Sequence, residues 1–95
     1  MKAKNMDVTV DGEHYRTDTS NLLASDEKAG VFLFRALNSN YFVQSQGKKD
    51  TLEVLTIQGA EALYQKLPKK NQTLVASFPK FHGGIGLDTA TSYDD

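Results

Sequence analysis

Residues 31–56, VFLFRALNSNYFVQSQGKKDTLEVLT, decide the fold. The run VFLFRAL (31–37) is seven residues long, partly β-branched and aromatic, and bounded by Gly30 and Asn38. That length favours a strand over a buried helix. In a strand, Phe32, Phe34 and Ala36 share one face, and Val31, Leu33, Arg35 and Leu37 share the other. Asn38, Ser39 and Asn40 suit a turn, because such side chains bond their own backbone and accept unusual φ. YFVQSQ (41–46) returns as the next strand, GKKD (47–50) turns again, and TLEVLT (51–56) forms a third, with Leu52 and Val54 inward. The stretch predicts an antiparallel meander at the heart of the domain.

Before it, Met6, Val8 and Val10 alternate with polar neighbours, the period of a half-buried strand. Asp11-Gly12 is a tight-turn signal, so residues 6–18 read as a hairpin. The polar stretch 17–30 reads as a connection with at most one helical turn. After the meander, Ile57, Ala60, Leu63, Tyr64 and Leu67 recur at three- and four-residue steps and form one apolar stripe. Thr56 caps this helix, Pro68 and Asn71 stop it, and lysines gather at its C-terminal end, where the dipole favours cations. Gly59 weakens its first turn by about 1 kcal/mol relative to alanine. QTLVASF (72–78) reads as a further short strand. The expected architecture is α+β: an antiparallel sheet of about five strands with one α-helix, residues 57–67, packed on one face. Residues 1–80 form the single domain and residues 81–95 a tail.

Composition restricts the function classes. Hydrophobic residues make up 39% of the chain and charged residues 24%, as in ordinary globular domains. Cysteine is absent, which removes disulfides and thiolate chemistry. The lysine-bearing start lacks the apolar stretch of a signal peptide, and no apolar run approaches the roughly 20 residues of a membrane helix. A cytoplasmic protein with no membrane partner is expected. Net charge is −1 but unevenly placed: residues 1–30 hold four bases and six acids, residues 31–80 seven bases and three acids, and residues 81–95 three acids and no base. That balance fits neither a DNA mimic nor a basic nucleic-acid coat.

Three groups of residues invite a functional reading. FPKFHGGIGLD (78–88) crowds three glycines around a histidine, but no helix follows and the glycine spacing matches no phosphate loop, so it reads as an exit segment. His14 and His82 are the only histidines. A metal site would need both together with carboxylates such as Glu13 or Asp88, a clustering the spacing does not supply. No nucleophile motif accompanies them, so no catalytic residue, metal or cofactor is assigned. The lysines offer more. Strand 51–56 spans about 20 Å and the helix about 17 Å. A helix doubling back across the sheet returns Lys66, Lys69 and Lys70 to the end that holds Lys48 and Lys49. Five cations would then form one patch for phosphates or an acidic protein surface.

The segments DGEHYRTDT (11–19), VFLFRALNSNYFV (31–43) and LEVLTIQGAEAL (52–63) resemble a diffuse group of small bacterial proteins carried by phages, plasmids and other mobile elements. The resemblance covers about two thirds of the chain. That group often has glycine in the tight turn where this sequence has Ser39. It has no common activity; the resemblance implies a mobile-element setting, in which small proteins often bind a host protein, anti-CRISPR and other anti-defence proteins among them. One helix covers only part of a sheet that is apolar on both faces, so a second apolar surface is expected to meet a host or defence-system protein or a second copy of the chain. The leading expectation is a non-enzymatic protein-binding module, an inhibitor of a host defence system. The alternative is a nucleic-acid-associated accessory factor that uses the lysine patch.

Overall fold

A computed structural model of the chain describes residues 3–79. The element order is β1 (Asp7–Val10), β2 (Glu13–Arg16), a 3-10 turn (Thr17–Thr19), β3 (Asn21–Asp26), β4 (Val31–Arg35), β5 (Tyr41–Ser45), β6 (Thr51–Leu55), α1 (Ile57–Lys66), β7 (Lys69–Lys70) and α2 (Leu74–Ser77). The architecture is α+β, with a five-stranded antiparallel sheet in the order β6-β5-β4-β3-β7 and a separate two-stranded sheet, β1-β2.

The meander forms as its sequence predicts, with Phe34 opposite Phe42 and Phe42 opposite Val54. The Asp11-Gly12 hairpin also forms; both residues have positive φ, 52° and 81°, as the tight turn requires. Thr56 caps α1, its hydroxyl accepting from the Gly59 amide at 3.0 Å. A Cβ on Gly59 would lie 3.1 Å from that oxygen, so the glycine leaves room for the cap.

Two segments differ from expectation. The presumed connection contains β3, which pairs with β4 along its length. Its apolar residues Leu22, Leu23 and Ala24 do not alternate because the register shifts between Leu22 and Ala24. Leu22 packs on one face of the sheet while both Leu23 and Ala24 pack on the other. This is the signature of a bulge, in which two residues oppose one. The Leu23 carbonyl accepts from the amides of Asn71 and Gln72 at 2.9 and 3.0 Å, so the bulge also anchors the chain after β7. The second difference is at 72–78: the segment forms helical α2, not a strand. Thr73 accepts from the Ala76 amide at 3.1 Å and starts the turn, and Phe78 is buried at its end. The fifth strand of the sheet is instead the two-residue β7.

Both faces of the sheet are covered. On one face, Leu23, Ala24, Leu33 and Tyr41 pack with Ala60, Tyr64 and Leu67 of α1 and with Phe78. Phe78 stacks on Tyr41 at 4.9 Å and meets Tyr64 edge-on at 5.6 Å. On the other face, Phe32, Phe34, Ala36 and Phe42 pack under Tyr15 of the N-terminal hairpin. The expected vacant apolar face is therefore occupied by the chain's own hairpin, and Phe32 and Phe34 face that hairpin rather than the helix. The tail at 81–95 lies outside the described residues.

Phe34→Ala is expected to lower unfolding free energy by about 3–5 kcal/mol in chemical denaturation, the usual cost of emptying a buried phenylalanine site; a loss under about 1 kcal/mol would contradict this packing. A second outcome concerns pH. Burial pushes the Tyr41 hydroxyl above its ordinary 10.0, partly opposed by the Arg35 guanidinium. The neutral side chain, which donates to the Ser77 carbonyl at 2.7 Å, is favoured in the folded state. Its contribution is full below the unfolded value near 10 and is lost as pH rises through the higher folded value. Tyr41→Phe is expected to cost about 1 kcal/mol at neutral pH and to show a shallower alkaline loss of stability than wild type in a pH series of urea melts.

Candidate partner-binding surface

The five lysines divide between two edges of the sheet. Lys48 and Lys49 lie in the β5–β6 turn, beside the β6 edge; Lys69 and Lys70 form β7, the opposite edge. Helix α1 does return the chain to the same end, since Lys69 pairs with Ser25 near the β3–β4 turn. The lateral positions nevertheless separate the two pairs by three to four strand spacings, about 14–19 Å at the usual 4.8 Å. Lys69 bonds Glu27 at 3.2 Å, and this hydrogen bond with its charge holds the Glu27 carboxyl below its ordinary value. The Lys70 ammonium turns back onto the end of α1. It donates to the carbonyls of Tyr64, Gln65 and Leu67 and sits 4.9 Å from the Tyr64 ring centre. It serves as the cationic C-cap that the helix dipole favours. Lys48, Lys49 and Lys66 are exposed and make no ion pair among the described residues. The five lysines thus share one end of the sheet, but Lys69 and Lys70 are engaged locally and sit at a different lateral position from Lys48 and Lys49.

His14 lies on the outward face of the hairpin. Thr9 Oγ1 and Asp7 Oδ1 approach it at 3.4 and 3.5 Å, both at Nδ1. A relay from acid through base to nucleophile needs partners on opposite ring nitrogens, and this arrangement does not provide them. Arg16 joins Asp18 at 2.9 Å and Asp7 at 4.0 Å, completing a solvated charge ladder. Asn5, Met6, Asp7, Arg16 and Asp18 line a shallow, open, polar depression beside it. No cluster of three metal-ligating side chains occurs among the described residues. His82 and Asp88 lie outside them.

The turn between β4 and β5 has a different character. The strand expected to reach Leu37 ends at Arg35, and Leu37 leaves the sheet to stand 82% exposed. Single exposed apolar side chains are common; what distinguishes this one is its support. Ala36 N donates to Asn40 O at 2.8 Å, Ser39 N to Ala36 O at 2.9 Å, and Asn40 N to Asn38 Oδ1 at 2.9 Å. Asn38 Nδ2 reaches Glu13 Oε1 at 3.2 Å and Asn40 Nδ2 reaches the Tyr15 hydroxyl at 2.9 Å, so the turn is clasped to the hairpin as well. Ser39 has φ 72°, in the left-handed region that glycine occupies without penalty. A non-glycine residue persists there only where its surroundings fix it. The turn is therefore braced, slightly strained, and tipped by an exposed apolar side chain. The sequence reading placed Leu37 on a strand face and missed this role; the Asn-Ser-Asn that follows it was the available signal.

Comparison of the chain with protein-family models, with characterised proteins and with solved structures found no match. No described helix is long and apolar enough to cross a membrane.

Proposed function

We propose that the chain is a non-enzymatic protein-binding module whose contact surface is centred on the β4–β5 turn. The observation that carries this reading is the braced exposure of Leu37. A preformed turn orders little further on binding, so its apolar tip contributes to affinity with a small entropic cost. Such a side chain suits a pocket on another protein, ringed by groups that exclude water. The resemblance of residues 11–19, 31–43 and 52–63 to small proteins of mobile elements supports a host or defence-system protein as the partner, and inhibition by occlusion as the mode of action. The nucleic-acid alternative calls for cations on one continuous surface. With Lys69 and Lys70 engaged locally and Lys48 and Lys49 on the far edge, the protein-binding reading is the better supported.

The test places a photo-crosslinking amino acid at position 37, and at exposed Gln58 as a control, in the chain expressed in its own organism. A protein captured at 37 and not at 58 is identified, purified and titrated against wild type and Leu37→Asp. The expected result is affinity weakened by roughly 30-fold or more, the threshold of an interface hot spot. The thermal midpoint should be nearly unchanged, because surface substitutions alter stability by only about 0.5 kcal/mol. Equal affinity of the two forms would reject this surface.

A further inference from the structure

We propose that the β1–β2 hairpin, with the arm at residues 3–6, is a displaceable lid that opens as one unit over an aromatic face of the sheet. The opening itself does not rest on the partner-binding reading; only its consequence for the Leu37 turn does.

The hairpin strands pair only with each other and add no rung to the five-stranded sheet. An isolated two-stranded hairpin is marginal in water, so this one persists through what holds it down. Those attachments run through side chains. Tyr15 is the one buried residue of β1 and β2, 2% exposed, and its ring meets Phe42 edge-on at 5.7 Å. The carboxamide of Gln44, on the sheet, imitates a strand: it accepts from Lys4 N at 3.0 Å and donates to Lys4 O at 2.7 Å. Thr17 Oγ1 donates to Lys4 O at 2.8 Å and accepts from Met6 N at 2.9 Å, tying the arm to the end of β2. Asn38 and Asn40 supply the clasps at the other end.

Beneath the lid lie Phe32, Phe34 and Phe42, with Phe34 and Phe42 stacked at 5.1 Å. The other face has its own closed core, built from α1, α2 and Phe78 on β3–β5, and does not depend on the hairpin. A covered sheet with two separate cores and one short link, Thr17–Ser20, has the construction of a fold that opens in parts. Opening does more than bare the aromatic face. It releases Glu13 and Tyr15 from Asn38 and Asn40, so the Leu37 turn loses two of its braces at the same moment. The lid thus couples the two surfaces: the closed form presents a braced Leu37, and the open form presents the phenylalanines.

Native-state hydrogen exchange of the full chain, read by NMR across a series of low urea concentrations, tests this. The amides of Lys4 and Thr17 and of the β1–β2 ladder are expected to share one exchange rate and one urea slope. Their exchange should be at least about 100-fold faster than that of the β4–β5 ladder, with a smaller slope. Thr17→Val removes the hydroxyl at constant volume and should speed exchange of the whole hairpin about tenfold, leaving β4–β5 unchanged, while Thr17→Ser should behave as wild type. Two results would overturn the proposal: hairpin and β4–β5 amides exchanging together, which makes the fold one cooperative unit, or hairpin amides exchanging at unrelated rates with no urea dependence, which is fraying.

Discussion

A central strand buried on both faces needs two covers, and the rest of this fold follows from that requirement. In β4, Phe32 and Phe34 point to one side and Leu33 to the other, and all three are at most 3% exposed. A single ten-residue helix shields only one side. It does so with help from α2 and Phe78, which extend the cover beyond the reach of α1. The opposite side receives the N-terminal hairpin, whose outward residues Asp7, Thr9, His14 and Arg16 are polar and whose inward Tyr15 is buried. A small domain gains little from each layer, and here both layers bear on one strand.

Polar side chains perform the joining that backbone ladders perform elsewhere. Gln44 is fully buried, at 0% exposure, near the end of β5. A buried amide without partners would cost about 1–3 kcal/mol, and this one is bonded through both its oxygen and its nitrogen to the Lys4 backbone. Asn40 acts likewise between the β4–β5 turn and the hairpin, and Ser25, which donates to Asn71 at 3.2 Å, acts between sheet and the β7 segment. Each join needs only one side chain from the sheet, which is why a hairpin outside the sheet's own ladder can still be registered on it.

Local signals in the sequence carry much of the fold. Asp11-Gly12 marks the hairpin turn, Thr56 the start of α1, and the apolar runs at 31–35, 41–45 and 51–55 the meander. Features that depend on strand order are not legible in the same way. The bulge at Leu22–Ala24 erases the alternation that would have marked β3. Placing β3 beside β4 then sets β7 on the far edge from β6. The strand and helix lengths rightly bring Lys69 and Lys70 to the end that holds Lys48 and Lys49, but length carries no information about lateral position. Leu37 is obscured for a related reason: its spacing continues the strand, although the Asn-Ser-Asn that follows it marks the turn. The vacant sheet face expected from the sequence depended on leaving the hairpin's inward Tyr15 without a destination.

The central claim is that the hairpin closes the second core by laying Tyr15 on Phe42. Nuclear Overhauser contacts between the ring protons of these two residues measure it directly in solution. The account predicts Tyr15–Phe42 cross-peaks as strong as those between Tyr64 and Phe78 on the helix side, since the ring centres lie at 5.7 and 5.6 Å. Cross-peaks for Tyr64–Phe78 without any for Tyr15–Phe42, in a folded sample, would show that the hairpin does not cover the sheet and would contradict the account.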